Sequence, residues 1–459
     1  MRFLAGCALV LALAGCTADP ESAPVDRAIT DAPEVTDPPP EPTTSPAPES
    51  QTRPLVLAVN ARRPPLALTS QQARRLERGA IDDWAELGQP GGPLRTAETT
   101  DGLRHLPMDT VAVLVADAVN PALRVATVDG VDPLRDPAAY PLQVTGPTPR
   151  EVTTLTVVGD VMLGRGVPGG SALAPMADRL AGADITVGNL ESTLAELGPP
   201  QQDPVTDSFS ADPSVRRDLR AAGFDAISLA NNHTGDFGER SLERTVDLLR
   251  AGGLPTFGAG RDLEQARRPV VVERDGVSFG FLGFNAIGET PEAGPGQPGA
   301  VSVSMPPRTG PLDRSELDRF LGDVRRLSRR ADVVVVLPHW GTQYTHRPEP
   351  IQHQVARELA GAGADLVVGG HPHWVQGAEL VGDALVVHSL GNFVFDMDFM
   401  TQTTEGLALE ATFWGGQLMA ADFVPYRMDT DHAPRPVRVQ DAGSILDPFW
   451  ELSSLAATR

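Results

Sequence analysis

Residues 366–377 read Leu-Val-Val-Gly-Gly-His-Pro-His-Trp-Val-Gln-Gly. Three aliphatic residues in a row fit a strand buried on both faces, and the glycine pair ends it. Two histidines follow, separated by a proline that fixes the backbone between them. The same construction recurs upstream. Leu155-Thr-Val-Val158 runs into Gly159-Asp160, and Ile185-Thr-Val187 into Gly188-Asn189-Leu190-Glu191. Ile227-Ser-Leu229 runs into Ala230-Asn231-Asn232-His233, and Val333–Leu337 into Pro338-His339-Trp340-Gly341. Each buried-type strand therefore delivers Asp, Asn, Glu or His just past its carboxyl end, the edge where α/β sheets build their sites. The adjoining glycines let the chain turn sharply and leave room for a ligand.

Outward from these strands the pattern is regular. Val277–Leu282 and Ala384–His388 are further strand candidates, and Asp184–Val187 extends one already named. Amphipathic stretches at Ser241–Ala251, Ser315–Ser328 and Ile351–Ala362 lie between them and read as helices. Strands of this type with intervening helices predict an α/β domain over 151–430, its sheet covered on both faces, followed by a tail over 431–459. Asp, Glu, Asn and His without Cys form an oxygen and nitrogen donor set suited to Mn, Fe or Zn. Such a set can hold one or two divalent ions, which lower the pKa of a bound water and clamp an in-line displacement.

The motifs GDVMLGR (159–165), GNLES (188–192), NNHTGDFG (231–238), PHWGTQY (338–344), GGHPHWVQG (369–377) and SLGNFVFD (389–396) together resemble the CapA family. That family belongs to the calcineurin-like metallophosphoesterase superfamily and is linked to poly-γ-glutamate capsule production. The resemblance spans about 153–400 and implies a β-sandwich flanked by helices. It also implies roles. Asp160 and His373 would ligate a first metal, Asn232, His339 and His371 a second, and Glu191 would bridge them. His233 would protonate a leaving group, oriented by Asp236, and Arg165 would meet an anionic substrate group, since guanidinium suits carboxylate and phosphate alike. The sequence departs from the superfamily in three places. Met162 stands where a first-metal His is usual, Asn189 where an Asp is usual, and Thr234 where an acid usually follows the catalytic His.

The remaining aromatic and histidine residues have plainer readings. Trp340 and Trp374 read as packing residues, His346 and His353 as rim or surface residues, and His388 as a core residue or a support for the site. The Gly-rich stretch Glu292–Gly299 reads as a mobile loop over the site or as a plain connection.

Composition bounds the rest. The chain has 459 residues, 38 Lys+Arg against 60 Asp+Glu, and a formal net charge of −22. No lysine occurs, so every fixed side-chain cation is arginine. Such a balance excludes a general nucleic-acid binder and electrostatic docking on an anionic membrane. Both cysteines, Cys7 and Cys16, lie in the first 16 residues, which excludes disulfides and thiolate metal ligands from the body. Residues 1–15 have the form of a secretory signal, and Leu13-Ala14-Gly15-Cys16 resembles a bacterial lipobox with Cys16 as the lipid-modified residue. Residues 16–52 are acidic, proline-rich and nearly free of large apolar side chains, which predicts an extended tether. Residues 53–150 are expected to form a small α/β domain, with strands at Leu55–Val59 and Val111–Val115 and a helix opening at Thr69. Its stretches 68–88 and 128–142 are similar to parts of phosphate-type solute-binding proteins; a spacing or packing role is the simpler reading.

The expected protein is thus lipid-anchored on the outer face of the cell membrane. As an enzyme it would hydrolyse or transfer on a polyanionic cell-surface polymer or its precursor. As a scaffold it would bind that polymer or a membrane polymer synthase without catalysis. A solute-binding subunit of a transporter is a third reading, resting on 53–148 alone.

Overall fold

The computed structural model describes residues 51–98, 104, 106–147 and 151–455. The expected signal segment 1–15, Cys16 and nearly all of the tether lie outside the described residues. Ser50–Arg459 forms one compact unit. Among the described residues, no helix is long and apolar enough to cross a membrane.

Two sheets build the body. The first runs in the order Thr256–Phe257, Ala226–Ser228, Ile185–Leu190, Val152–Val161, Glu405–Trp414, Gln417–Met428, Pro434–Pro436, with Asn392–Val394 also paired to Val152–Val161. Its early strands are parallel, and the long 405–428 hairpin joins antiparallel. The second runs Val270–Arg274, Val277–Asn285, Val333–His339, Leu366–Val368, Ala384–Leu390, Val375–Val381. It is parallel in the middle and antiparallel at both edges.

The two sheets face each other across one apolar core. Leu155, Val157, Ile185, Leu409 and Phe413 of the first meet Phe279, Phe281, Val333, Val335 and Val387 of the second. Alternate residues of the same strands point outward. Val158, Val161, Leu190 and Ile227 lie under the helix Glu239–Ala251, through Leu242, Val246 and Leu249. Leu282, Val334, Val336 and Val367 lie under Arg314–Leu327 and Pro350–Gly361. Every parallel strand is therefore buried on both faces, which is why Val333–Leu337 reads as an unbroken apolar run. That run gives no sign of whether a sheet or a helix covers each face. The structure resolves this as a sandwich of two sheets with helices on the outer faces.

The helices start where their caps put them. Asp313 accepts hydrogen bonds from the backbone N–H of Ser315 and Glu316, opening Arg314–Leu327. Glu349 and Gln352 cap Pro350–Gly361 reciprocally, with Pro350 in the first turn, where its missing N–H costs nothing. Thr69 and Gln72 form a capping box at the start of Ser70–Glu77.

The 53–150 stretch carries its own sheet, ordered Arg95–Glu98, Thr110–Val115, Thr52–Asn60, Leu123–Val125, with Gln143–Thr145 also on Thr52–Asn60. Leu57, Val59, Trp84 and Val111 make a core on one face. On the other, Val56, Ala58 and Leu114 pack with Met419 and Ala420 of the 405–428 hairpin. Trp414 donates its indole N–H to Leu134 O at 2.8 Å, and Arg124 pairs with Asp422 at 3.3 Å.

One expectation needs correction. Over its described part, 431–455, the expected tail is packed: Gly443–Glu451 is a helix whose Ile445, Leu446, Phe449 and Trp450 join the core between the sheets. Its apolar face closes the end of the sandwich, which one sheet with helices on both sides would not need. The Glu292–Gly299 stretch is a closed turn, with Gly294 and Gln297 exchanging backbone hydrogen bonds and Leu263 N–H bonding to Gly294 O.

Candidate metal centre

The carboxyl ends of the parallel strands from both sheets meet at one point. In the first sheet Asp160 lies in register between Asn189 on one neighbour and Asn392 on the other. In the second, His339 ends its strand beside Gly370. The His371 N–H donates to Asp160 Oδ2 at 3.0 Å and ties the two sheets together there. Asp160, Glu191, Asn232, His233, Asp236, His339, His371 and His373 are all buried.

Asn189 is the hub of the floor. Its amide donates to Asp160 Oδ1 at 2.8 Å and lies 3.5 Å from Glu191 Oε2 and 3.4 Å from His339 Nδ1. Its own oxygen accepts from Asn231 at 2.9 Å. An N–H donor thus occupies the place where the superfamily puts a carboxylate. Met162 is fully buried in the core outside the sheet, and its sulfur accepts from Gly164 N–H. It serves packing and a turn.

The side-chain donors of the site residues converge. His339 Nε2 lies 2.9 Å from Asn232 Oδ1 and 3.7 Å from Glu191 Oε1. The ligand atoms of Asp160, Glu191 and His339 fall within 4.8 Å of one another. The His371 ring sits edge-on to His339 with centroids 5.0 Å apart, and 5.8 Å from His373. His373 Nδ1 bonds to Asn392 Oδ1 at 2.8 Å, which turns Nε2 inward. Glu191 Oε1, both ring nitrogens of His371 and His373 Nε2 have no hydrogen-bond partner. Leaving a buried polar atom unsatisfied costs about 1–3 kcal/mol. These orphans gathered in one place fit one or two divalent cations that Asp160, Glu191, Asn232, His339, His371 and His373 would hold.

Electrostatics point the same way. Burial, then the charges of Asp160 and Asp236, push the Glu191 carboxyl well above the usual range. Burial holds His339 and His371 well below the usual imidazole value, and His373 below it, with neighbouring histidines adding to the effect. Neutral imidazole is the form that binds a metal, and a cation beside Glu191 reverses the penalty on its charge.

His233 stands across from this cluster. Its Nδ1 lies 2.8 Å from Asp236 Oδ2 and its Nε2 3.8 Å from Glu191 Oε1. Asp236 also accepts from Phe209 N–H and the Gln202 amide, both at 2.6 Å. A carboxylate only accepts, so His233 Nδ1 donates to Asp236 and Nε2 is the ring nitrogen left for the cleft. The ring stacks on Phe209 at 4.0 Å.

Arg165 lies at the edge of the site. Its guanidinium lies over Phe209 at 4.1 Å, pairs with Asp396 and donates to Thr206 O. Its charge is committed to an internal partner at the edge of the site.

Several supporting residues escaped the sequence reading. Glu289 accepts from Asn232 Nδ2 at 3.0 Å and pairs with Arg308, and Tyr344 stacks near His373 at 6.0 Å. No local pattern marks Glu289; Asn392 lay within a quoted motif but without a role. Arg165, Glu289, Tyr344, His371 and His373 all have φ between 51° and 93°. Non-glycine residues there cost of order 1–3 kcal/mol each, and such strain collects at functional sites. Trp340 is fully buried under the helices, as read.

Residues 154–397 match the family of bacterial capsule synthesis proteins PGA_cap. The chain is 29% identical over 297 residues to the capsule biosynthesis protein CapA of Bacillus anthracis, covering 62% of this chain and 70% of that protein. It is 28% identical over 268 residues to the PGA biosynthesis protein CapA of Bacillus subtilis, covering 57% and 67%. A probable polyglutamine synthesis accessory protein of Mycobacterium tuberculosis is 29% identical over 238 residues, covering 50% and 60%.

Proposed function

Because this chain belongs to the PGA_cap family of bacterial capsule synthesis proteins, we propose that it serves the assembly of a polyanionic surface polymer through a metal-dependent hydrolase or transferase site. The polymer is of the poly-γ-glutamate kind or a precursor of it. The protein works outside the cytoplasm, held by a lipid on Cys16 and set off from the membrane by the 16–52 tether. Its partners are the polymer and a membrane polymer synthase.

The observation that carries the catalytic reading is the buried convergence of unpartnered ligand atoms opposite the His233–Asp236 pair. One or two divalent ions, Mn, Fe or Zn, would be held by Asp160, Glu191, Asn232, His339, His371 and His373 and would supply Lewis-acid polarisation and activation of water. Asp236 fixes the tautomer of His233, and Phe209 fixes its ring plane. His233 Nε2 then takes up a proton at the cleft and returns it to the leaving group. Asn189 and Asn231 hold Asp160 and the Glu191 strand end in position through hydrogen bonds.

A non-catalytic scaffold is the second reading, favoured by Met162 and Asn189 standing in place of usual ligands. The two separate on one variant. His233→Ala is expected to keep its metal and fold while losing about 10²–10⁴-fold of metal-dependent turnover on poly-γ-glutamate, read as change in chain length. Elemental analysis of the purified chain, beside the His371→Ala, His373→Ala double variant, comes first. Metal in neither protein, even after reconstitution, sinks the catalytic reading.

A further inference from the structure

A second cluster of ligand-type side chains lies where the helix Pro350–Gly361 covers the second sheet. His353 Nδ1 on the helix sits 2.7 Å from Glu379 Oε1 on the edge strand Val375–Val381. His388 Nε2, on the neighbouring strand Ala384–Leu390, sits 3.0 Å from the same oxygen. The two rings stand edge to face with centroids 4.4 Å apart, and the three donor atoms lie within 4.8 Å of one another. We propose that His353, Glu379 and His388 form a zinc site, separate from the centre at Asp160 and His373.

Three features carry this. The first is convergence. Two imidazole nitrogens from different elements address one oxygen of a carboxylate, although a carboxylate has two oxygens to receive two donors. A single ion requires its donors to meet at one point. In a tetrahedral zinc site with bonds of about 2.0–2.1 Å, donor atoms lie roughly 3.3 Å apart. The two contacts to Glu379 Oε1, 2.7 and 3.0 Å, need to open by only a few tenths of an ångström to reach that spacing.

The second is protonation. His388 is 1% exposed, and its other nitrogen, Nδ1, has no hydrogen-bond partner. Burial lowers its pKa, which keeps it in the neutral, ligating form. The Glu379 carboxylate lies below its usual range, its bonds to His388 and His353 outweighing burial, and stays charged. Two imidazoles and one carboxylate are a donor set that zinc takes with an open fourth position.

The third is access. The His353 side chain is 35% exposed and that of Glu379 16%, so an ion can enter from solvent and complete its shell with water. The three ligands come from a helix and two strands, and an ion there clamps the helix to the sheet edge. The clamp reaches toward the main centre. Trp340, next to His339, donates its indole N–H to His388 O at 3.0 Å and stacks on the His388 ring.

The test uses the full chain carrying His371→Ala and His373→Ala, so that the main centre does not contribute, with zinc ion as the only probe. Equilibrium dialysis followed by elemental analysis is expected to give about one zinc per chain, and zinc is expected to raise the melting temperature. Adding His353→Ala removes both effects. Adding Glu379→Gln, which preserves the side-chain shape, weakens zinc binding at least tenfold. The proposal is overturned if the background protein, folded by circular dichroism, takes up no zinc. It is equally overturned if His353→Ala leaves zinc content and melting shift unchanged. Neither result bears on the metal content of the unmutated main centre, which is read from the protein without the double substitution.

Discussion

Gly370 shows how little room the centre leaves around its ligands. A Cβ there would stand 2.6 Å from Asp160 Oδ1 and 3.2 Å from His339 Nδ1. Gly370→Ala must push Asp160 or His339 aside, and groups that orient metal ligands are typically worth 10–100-fold in affinity. We expect about that loss in metal affinity with the fold retained, measured by titration with the ion. Unchanged affinity would remove Asp160 and His339 from the ligand set. Asp365 poses a different case. Burial raises its carboxyl pKa above the usual aspartate value, against a hydrogen bond from Val334 N–H at 2.7 Å. A folded pKa above the unfolded one contributes stability that is present at low pH and lost as pH rises through the raised value. At pH 7 the charge therefore works against the fold. Asp365→Asn, which keeps an acceptor for Val334, is expected to melt higher than the wild type at pH 7, with the difference closing toward pH 3. The identities of the ligand residues were legible in the sequence because each follows a buried strand directly. The commitment of Arg165 to Asp396 was not, since the two are 231 positions apart.

The three long helices fall within one or two residues of their expected bounds, and the expected parallel strands of the two large sheets within three. Their signals are local: caps at Asp313 and Glu349, and aliphatic runs ended by Gly or Pro. The hairpin Glu405–Trp414 and Gln417–Met428 was passed over, although it supplies two of the longest strands. Its residues alternate small, charged and aromatic side chains, so it lacks the continuous apolar run of the parallel strands. The helix Gly443–Glu451 was passed over too, because it is short and contains Pro448. Its weight can be measured. Phe449 is fully buried and packs on Phe423 at 4.5 Å. Phe449→Ala is expected to cost about 3–5 kcal/mol in denaturant unfolding. A loss under 1 kcal/mol would show that the helix is peripheral to the core.

For the molecule as a whole, the sheet of residues 52–145 shields part of the 405–428 hairpin. Met419 is fully buried and Ala420 nearly so, beside Val56, Ala58 and Leu114. A chain that begins at residue 151 exposes that apolar face. We expect it to aggregate or to melt below the chain that begins at residue 50. An equal melting temperature and full solubility would make the N-terminal sheet a passenger with some other task. The net charge of −22 also acts at this scale. It sets an acidic protein against an acidic polymer, so recognition in the proposed function falls to the metal centre and to individual arginines.

The sequence by itself determined the class of fold, the order of the site-bearing strands and the donor chemistry of the centre. Those follow from local periodicity, from glycine and proline at strand ends, and from residue type. Only the tertiary structure decided that the Asn189 amide donates to Asp160, that Arg165 pairs with Asp396, and that His353 and His388 converge on Glu379. Each of those is a contact between residues on different elements or across a turn. Such contacts are fixed by how the layers pack, and one-dimensional patterning carries no record of them.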